Sequence, residues 1–194
     1  MTKKPKILAF SGSLREHSLN KRVLKTAIGG AENAGAEVTY IDLRDYPMPI
    51  YNPDDQEENG MDENALRLQG LLVQHDGFLI ASPEYNGSIS SALKNVIDWA
   101  SRPNEQYNRS DVFPGKAAAM ITASPGSFGG VRALAHLRGV LTSVGVIVLP
   151  KEIAVSFADK MFNGEDGEMA DKGMKKILEG LGASLVEMLL KTRQ

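Results

Sequence analysis

Apolar residues fall into two patterns along this chain. Short continuous runs, Lys6-Ile7-Leu8-Ala9-Phe10, Phe78-Leu79-Ile80-Ala81 and Ala117-Ala118-Ala119-Met120-Ile121-Thr122, have the length and composition of buried strands. Glu37 to Leu43 alternates apolar and polar positions and predicts another strand, and Val146-Ile147-Val148-Leu149, stopped by Pro150, predicts a fifth. Between the runs, apolar residues recur at helical spacing. Leu24, Ala27, Ile28 and Ala31 mark a helix from Ser18 to about Asn33, and Leu68, Leu71 and Leu72 one from about Glu63 to His75. A third helix, opening near Ser90, carries Leu93, Val96, Ile97 and Ala100; a fourth carries Leu134, Leu137, Leu141 and Val144. The last starts near Glu168 and repeats Met174, Ile177, Leu178, Leu181, Leu185, Met188 and Leu189. Two stretches, 45–62 and 101–114, show neither period and are expected to be irregular.

Strands that alternate with helices require a parallel sheet covered on both faces. Right-handed crossovers leave few ways to connect it. The expected fold is α/β, a doubly wound five-stranded parallel sheet of the flavodoxin-like type, with strand order 2-1-3-4-5. Residues 1–194 read as a single domain, with no internal repeat and no linker. The polar stretch 45–62 reads as a surface insertion, and its acidic run Asp54-Asp55-Gln56-Glu57-Glu58 as a solvated loop without the spacing of a calcium site.

Composition narrows the chemistry. A formal net charge of -2 gives no basic excess for nucleic acid. There is no cysteine, which excludes disulfides, thiolate metal sites and a cysteine nucleophile. The histidines, His17, His75 and His136, form no pair at ligand spacing, so no metal is expected. The basic start, Met1 to Pro5, leads into strand-like residues rather than a signal-peptide run, and no segment is long enough to span a bilayer. The cytoplasm is the expected location.

The candidate chemistry lies in three polar loops, each following a predicted strand. In an open parallel sheet, ligands bind at the carboxyl ends of the strands, where the strand order reverses. The first loop, Ser11 to Asn20, offers the hydroxyls of Ser11, Ser13 and Ser18, the amide of Asn20, the guanidinium of Arg15 and a helix N-terminus. Those groups suit a phosphate. They also suit a helix cap and a tight turn. Neither the P-loop nor the dinucleotide glycine fingerprint occurs. The second loop is Ser82-Pro83-Glu84-Tyr85-Asn86-Gly87-Ser88, and the third is Ser124-Pro125-Gly126-Ser127-Phe128-Gly129-Gly130. The glycines of the third allow close approach of a flat ligand, or simply start a helix. Together the loops point to a nucleotide-like ligand with an anionic end and a flat, polar-edged end.

Gly12-Ser13-Leu14-Arg15 with Ser18 and Asn20, the Ser82–Ser88 loop, and Leu93-Lys94-Asn95-Val96-Ile97-Asp98-Trp99 resemble the NAD(P)H-dependent FMN reductases, in particular the chromate, quinone and azo-dye reductase group. The resemblance runs from the first strand to the last helix. It implies that Ser11, Ser13, Arg15, Ser18 and Asn20 hold the FMN phosphate. Pro83, Glu84, Tyr85, Asn86 and Gly87 would line the isoalloxazine, with Ser124, Gly126 and Gly129 beside the ring or ribityl chain. It further implies NADPH or NADH as electron donor, small-molecule acceptors (quinone, chromate, azo dye or free flavin), and a homodimer or homotetramer. No side chain need act as acid or base, because the hydride chemistry belongs to the flavin.

Tyr85 either flanks the ring or packs on its loop, and Glu84 either neutralises a cation or caps a helix. Two other readings stand beside the enzyme: a non-enzymatic flavodoxin-type electron carrier, and a binding module without cofactor. The mild net charge argues against the carrier, which needs a strongly acidic docking face. Finally, Leu93, Val96, Ile97 and Trp99 offer more apolar surface than one sheet face is expected to cover, which predicts a subunit contact at that helix.

Overall fold

In the computed structural model, residues 4–164 and 167–192 are described, so part of the basic start lies outside the described residues. Strands β1 (Lys6–Ser11), β2 (Glu37–Asp42), β3 (Gly77–Ala81) and β4 (Ala117–Ala123) run parallel, with short strands β5 (Ile147–Val148) and β6 (Ile153–Val155) at the far edge. The order is β2-β1-β3-β4-β5, as the alternation predicts.

The edge beyond β4 departs from a single fifth strand. Ala117 and Ala118 pair with β5, whereas Ile121 to Ala123 pair with β6. The split falls at Pro150, directly after Leu149 donates to Ala118 O at 2.8 Å. Arg138 braces the break, donating to Leu149 O at 2.8 Å and pairing with Glu152 at 2.6 Å.

Helices α1 (Leu19–Asn33) and α7 (Lys172–Thr192) cover one face; α3 (Glu63–Gln74), α4 (Ser91–Ala100) and α6 (Val131–Ser143) cover the other. Successive strand side chains enter opposite cores. Ile7, Ala9, Leu79 and Ile121 meet Val23, Leu24, Leu181 and Leu185, while Leu8, Phe10, Phe78, Ile80 and Met120 meet Leu68, Leu93, Val96 and Leu137. Gly30 and Gly182 let α1 and α7 pack backbone to backbone, for a Cβ on either would collide with main chain of the other helix.

Both stretches expected to be irregular contain short helices. Asn52 caps α2 (Pro53–Asn59) by accepting from Asp54 N at 3.1 Å, Pro53 opens the helix, and Asp54 and Asp55 lie in its positive first turn. The acidic run therefore lies in a short helix rather than a loop. Asn108 and Asp111 form a capping box on α5 (Arg109–Val112). The last helix begins at Lys172 rather than near Glu168, because Asp171 caps it through Met174 N at 2.8 Å.

The apolar face of α4 needs no second subunit. Leu93, Val96 and Ile97 are buried in their own chain, and Trp99 is 2% exposed. Its indole N–H donates to Pro49 O at 2.8 Å, and its ring meets Tyr51 edge-on at 5.0 Å. The segment 45–62 thus serves as cover for α4. That overturns the sequence-based reason for a contact there.

Candidate active site at the carboxyl edge of the sheet

The first loop leaves β1 beside β3. Gly12 N donates to Ala81 O at 2.8 Å, and Gly12 O accepts from Ser90 Oγ at 2.6 Å. A Cβ at Gly12 would lie 2.8 Å from Leu93 Cβ, so this close approach requires glycine. Ser11 Oγ accepts from Ser13 N at 3.2 Å, Ser13 Oγ from Arg15 N at 3.3 Å, and Ser18 Oγ from Lys21 N at 3.4 Å. Each hydroxyl therefore already has a backbone donor and keeps its own proton to give to another group. Leu19 N and Asn20 N, in the first turn of α1, have no acceptor among the described residues, as helix geometry dictates.

Arg15 is exposed, while Lys21 is buried and bound to Asp42 at 2.6 Å. Asp42 also takes Arg44 at 3.0 Å. Burial raises the Asp42 carboxyl, but hydrogen bonds from Lys21 and Arg44 outweigh it and hold the group below its ordinary value. Lys21 is thereby neutralised, which leaves Arg15 as the cation of the loop. Asn20 has a structural duty: its Nδ2 donates to Ala123 O and its Oδ1 accepts from Ala123 N, both at 2.9 Å. It ties the first loop to the end of β4 and keeps one amide hydrogen for a ligand.

In the second loop, Ser82 Oγ donates to Pro83 O at 3.0 Å. Beyond it the chain makes a two-residue hairpin turn. Tyr85 N donates to Ser88 O at 2.9 Å and Ser88 N to Tyr85 O at 3.1 Å, around Asn86 at φ 51° and Gly87 at φ 80°. Positive φ at both central residues is the type I′ pattern that Asn-Gly favours. Asn86 N and Gly87 N have no acceptor among the described residues. Glu84 turns away from the turn and caps α6, accepting from Arg132 N at 3.0 Å and Ala133 N at 3.3 Å while pairing with the Arg132 guanidinium at 2.7 Å. Burial alone would raise its carboxyl, but Arg132 and the Ala133 N–H outweigh it and lower it.

The third loop is anchored at both ends. Ser124 Oγ accepts from Gly126 N at 3.1 Å, and Gly126 O accepts from Phe157 N at 3.2 Å. Gly129, at φ 60°, packs so closely that a Cβ would lie 2.8 Å from Ser156 N. Gly130 faces Thr122, whose Oγ1 is a buried hydroxyl without a hydrogen-bond partner among the described residues.

The structure therefore joins all three loops. Ser90 and Ala81 hold the first against the second, Asn20 holds the first against β4, and Glu84 holds the second against α6. Sequence reasoning missed Arg132 and His136, whose partners lie 48 positions away. It also missed Phe157, 46% exposed at φ 48°; with Tyr85 at 47% and Phe128 at 67%, it presents aromatic surface on these segments. A positive-φ aromatic has no signature in composition.

The donor set is specific in kind. Serine protons, free first-turn N–H groups and Arg15 suit a phosphate, and paired turn N–H groups with exposed aromatics suit a flat ring with a polar edge. FMN fits both halves.

Comparison with known proteins agrees. Residues 5–160 match the family model described as NADPH-dependent FMN reductase. The chain is 38% identical to an NAD(P)H-dependent FMN reductase of Pseudomonas aeruginosa over 179 residues, 92% of each protein. It is 33% identical to a quinone reductase of Escherichia coli over 93% of each. Among solved structures, the flavoenzyme FerB, an NAD(P)H:(acceptor) oxidoreductase from Paracoccus denitrificans, superposes with a TM-score of 0.81 at 31% identity, over 96% of this chain and 98% of FerB.

Proposed function

The chain belongs to the NADPH-dependent FMN reductase family, and from that premise we propose that it passes electrons from NADPH or NADH to quinones through FMN held at the three loops. Family membership makes it an oxidoreductase, with FMN and a reduced nicotinamide nucleotide as its cofactors. Bound FMN supplies the chemistry, accepting hydride from the nicotinamide and delivering two electrons to the acceptor.

The protein's part is position and electrostatics. Ser11, Ser13 and Ser18 would donate hydroxyl hydrogen bonds, and Leu19 and Asn20 backbone N–H hydrogen bonds, to the phosphate. Arg15 supplies the balancing charge. Asn86 N and Gly87 N bond the polar edge of the ring, which Tyr85 and the glycines of the third loop flank. Pro83 shapes the loop, and Glu84 acts through Arg132 and α6 rather than on the ring. Chromate, azo dyes and free flavin are further acceptors on this reading, because no side chain needs to recognise the acceptor chemically. A homodimer or homotetramer belongs to the same reading, supported by the exposed Tyr85, Phe128, Val131 and Phe157 rather than by Trp99.

The observation that carries the proposal is the joining of the three loops by Asn20, Ser90 and Glu84. The test is an absorbance spectrum of the FMN-loaded protein, taken anaerobically with NADPH and then with benzoquinone. Bleaching by NADPH and recovery of the flavin bands on adding quinone are expected. Failure to bind FMN, or a bleached protein that quinone does not reoxidise, would defeat the proposal.

A further inference from the structure

His136 lies on the exposed side of α6, and its Nδ1 is 2.9 Å from Ser88 Oγ. Ser88 is the residue that closes the Asn86–Gly87 turn, through its two backbone bonds to Tyr85. Arg132, which Glu84 grips, stands one helical turn earlier on α6 and on the same side as His136. The segment from Glu84 to Ser88 is therefore pinned to one rigid helix at both ends, with its two unpaired N–H groups between the pins. A cavity of about 650 Å³, lined by Tyr85, Asn86, Ser88, Lys94, His136 and Val140, opens beside the turn, leaving that flank without packed side chains to hold it. The lysine there, Lys94, is engaged with Asp98 at 2.7 Å.

We propose that His136 is a positioning residue for the flavin: through Ser88 it fixes the Asn86 and Gly87 N–H groups where they favour the electron-rich reduced ring. The inference rests on the FMN reading given above. Fixed donors stabilise developing negative charge because they need no reorganisation, and that advantage falls when they are free to drift. A hydrogen bond between exposed side chains contributes little to global stability. A positioning role and a merely structural one thus predict different results.

The experiment compares the unaltered protein with His136→Ala, Ser88→Ala, the double variant and His136→Asn, whose amide keeps a polar atom close to the place of Nδ1. Three quantities are measured for each: the FMN dissociation constant of the apoprotein, the two-electron midpoint potential of bound FMN, and the urea midpoint. Each single alanine variant is expected to lose about tenfold of the preference for reduced over oxidised FMN, a fall of about 30 mV for a two-electron couple. The urea midpoint should stay put. The double variant should fall no further than either single one, since both remove the same bond, and His136→Asn should recover the potential. Unchanged potentials, or single effects that add in the double variant, would overturn the role of His136 alone. An unaltered apoprotein that does not bind FMN would overturn the underlying site as well.

Discussion

Glu84 holds Arg132 by main chain and side chain together: Oε2 accepts from Arg132 N at 3.0 Å, and Oε1 accepts from Nε at 2.8 Å and Nη2 at 2.7 Å. One carboxylate thus caps α6, neutralises a cation and fixes the start of the second loop. A glutamate expected beside the flavin ring thus also braces the second loop against α6.

Glu84→Gln should destabilise the protein by about 1 kcal/mol, the size of a lost cap with a partly exposed ion pair. Its pH signature is specific. The folded carboxyl lies below its ordinary value of 4.5, so its contribution is complete above that value and is lost as pH falls through the lower folded one. Urea midpoints measured between pH 6 and pH 3 should show that part of the acid slope in the unaltered protein and lack it in the variant.

Arg15→Ala should weaken FMN binding by about 1.5–3 kcal/mol, the range of a charge-assisted hydrogen bond. Arg15 is exposed, so the melting temperature of the apoprotein should be unchanged. Fluorescence titration of apoprotein with FMN measures the loss. Equal affinity in the two proteins would remove the first loop from the phosphate site.

Gly12→Ala places a methyl group 2.8 Å from Leu93 Cβ and 2.9 Å from Ser90 Oγ, against buried atoms with little room to move. The expected cost is about 1–3 kcal/mol, with weaker FMN binding as β1 and α4 part. Urea unfolding of the apoprotein measures the first, and the flavin titration the second.

At the opposite edge of the sheet, Lys116 Nζ donates to the carbonyls of Leu72, Val73 and His75, where α3 ends. Burial pushes Lys116 down to about 8, against the pull of Asp76 and Asp111. Lys116→Met removes the donor from all three carbonyls and should cost about 1–3 kcal/mol in a urea titration. FMN affinity should not change, because none of these groups belongs to the three loops.

Donor and acceptor taking turns over one ring predicts ping-pong kinetics. Initial-rate plots against NADPH at several benzoquinone concentrations should give parallel lines, with inhibition by excess donor. Intersecting lines would mean that both substrates occupy the protein together.

The chain's own pattern determined the strands and helices of a parallel sheet with two covered faces, because continuous apolar runs, the alternation of Glu37 to Leu43 and a 3.6-residue helical period are local properties, and the connection rules then left few strand orders. Ser18 and Ser90 were visible as helix starts for the same reason, since a cap acts within a few residues of its own position. Asn52 and Asn108 act just as locally, and the helices they start lay in stretches whose lack of apolar period hid them. What only the tertiary structure decided are the pairings across long separations: Asn20 with Ala123, Glu84 with Arg132, Ser88 with His136, and Trp99 with Pro49. No periodicity encodes these, for each depends on where two loops or helices arrive after the sheet has assembled. Asn20 and Glu84, visible in the sequence as candidate ligands, are also ties that hold the loops in place, while Trp99 looked like an interface residue and is covered by its own chain. The same holds for β6. Pro150 announced the end of a strand, but only the free edge of β4 beyond Ala118 gave Ile153 to Val155 a partner with which to resume it.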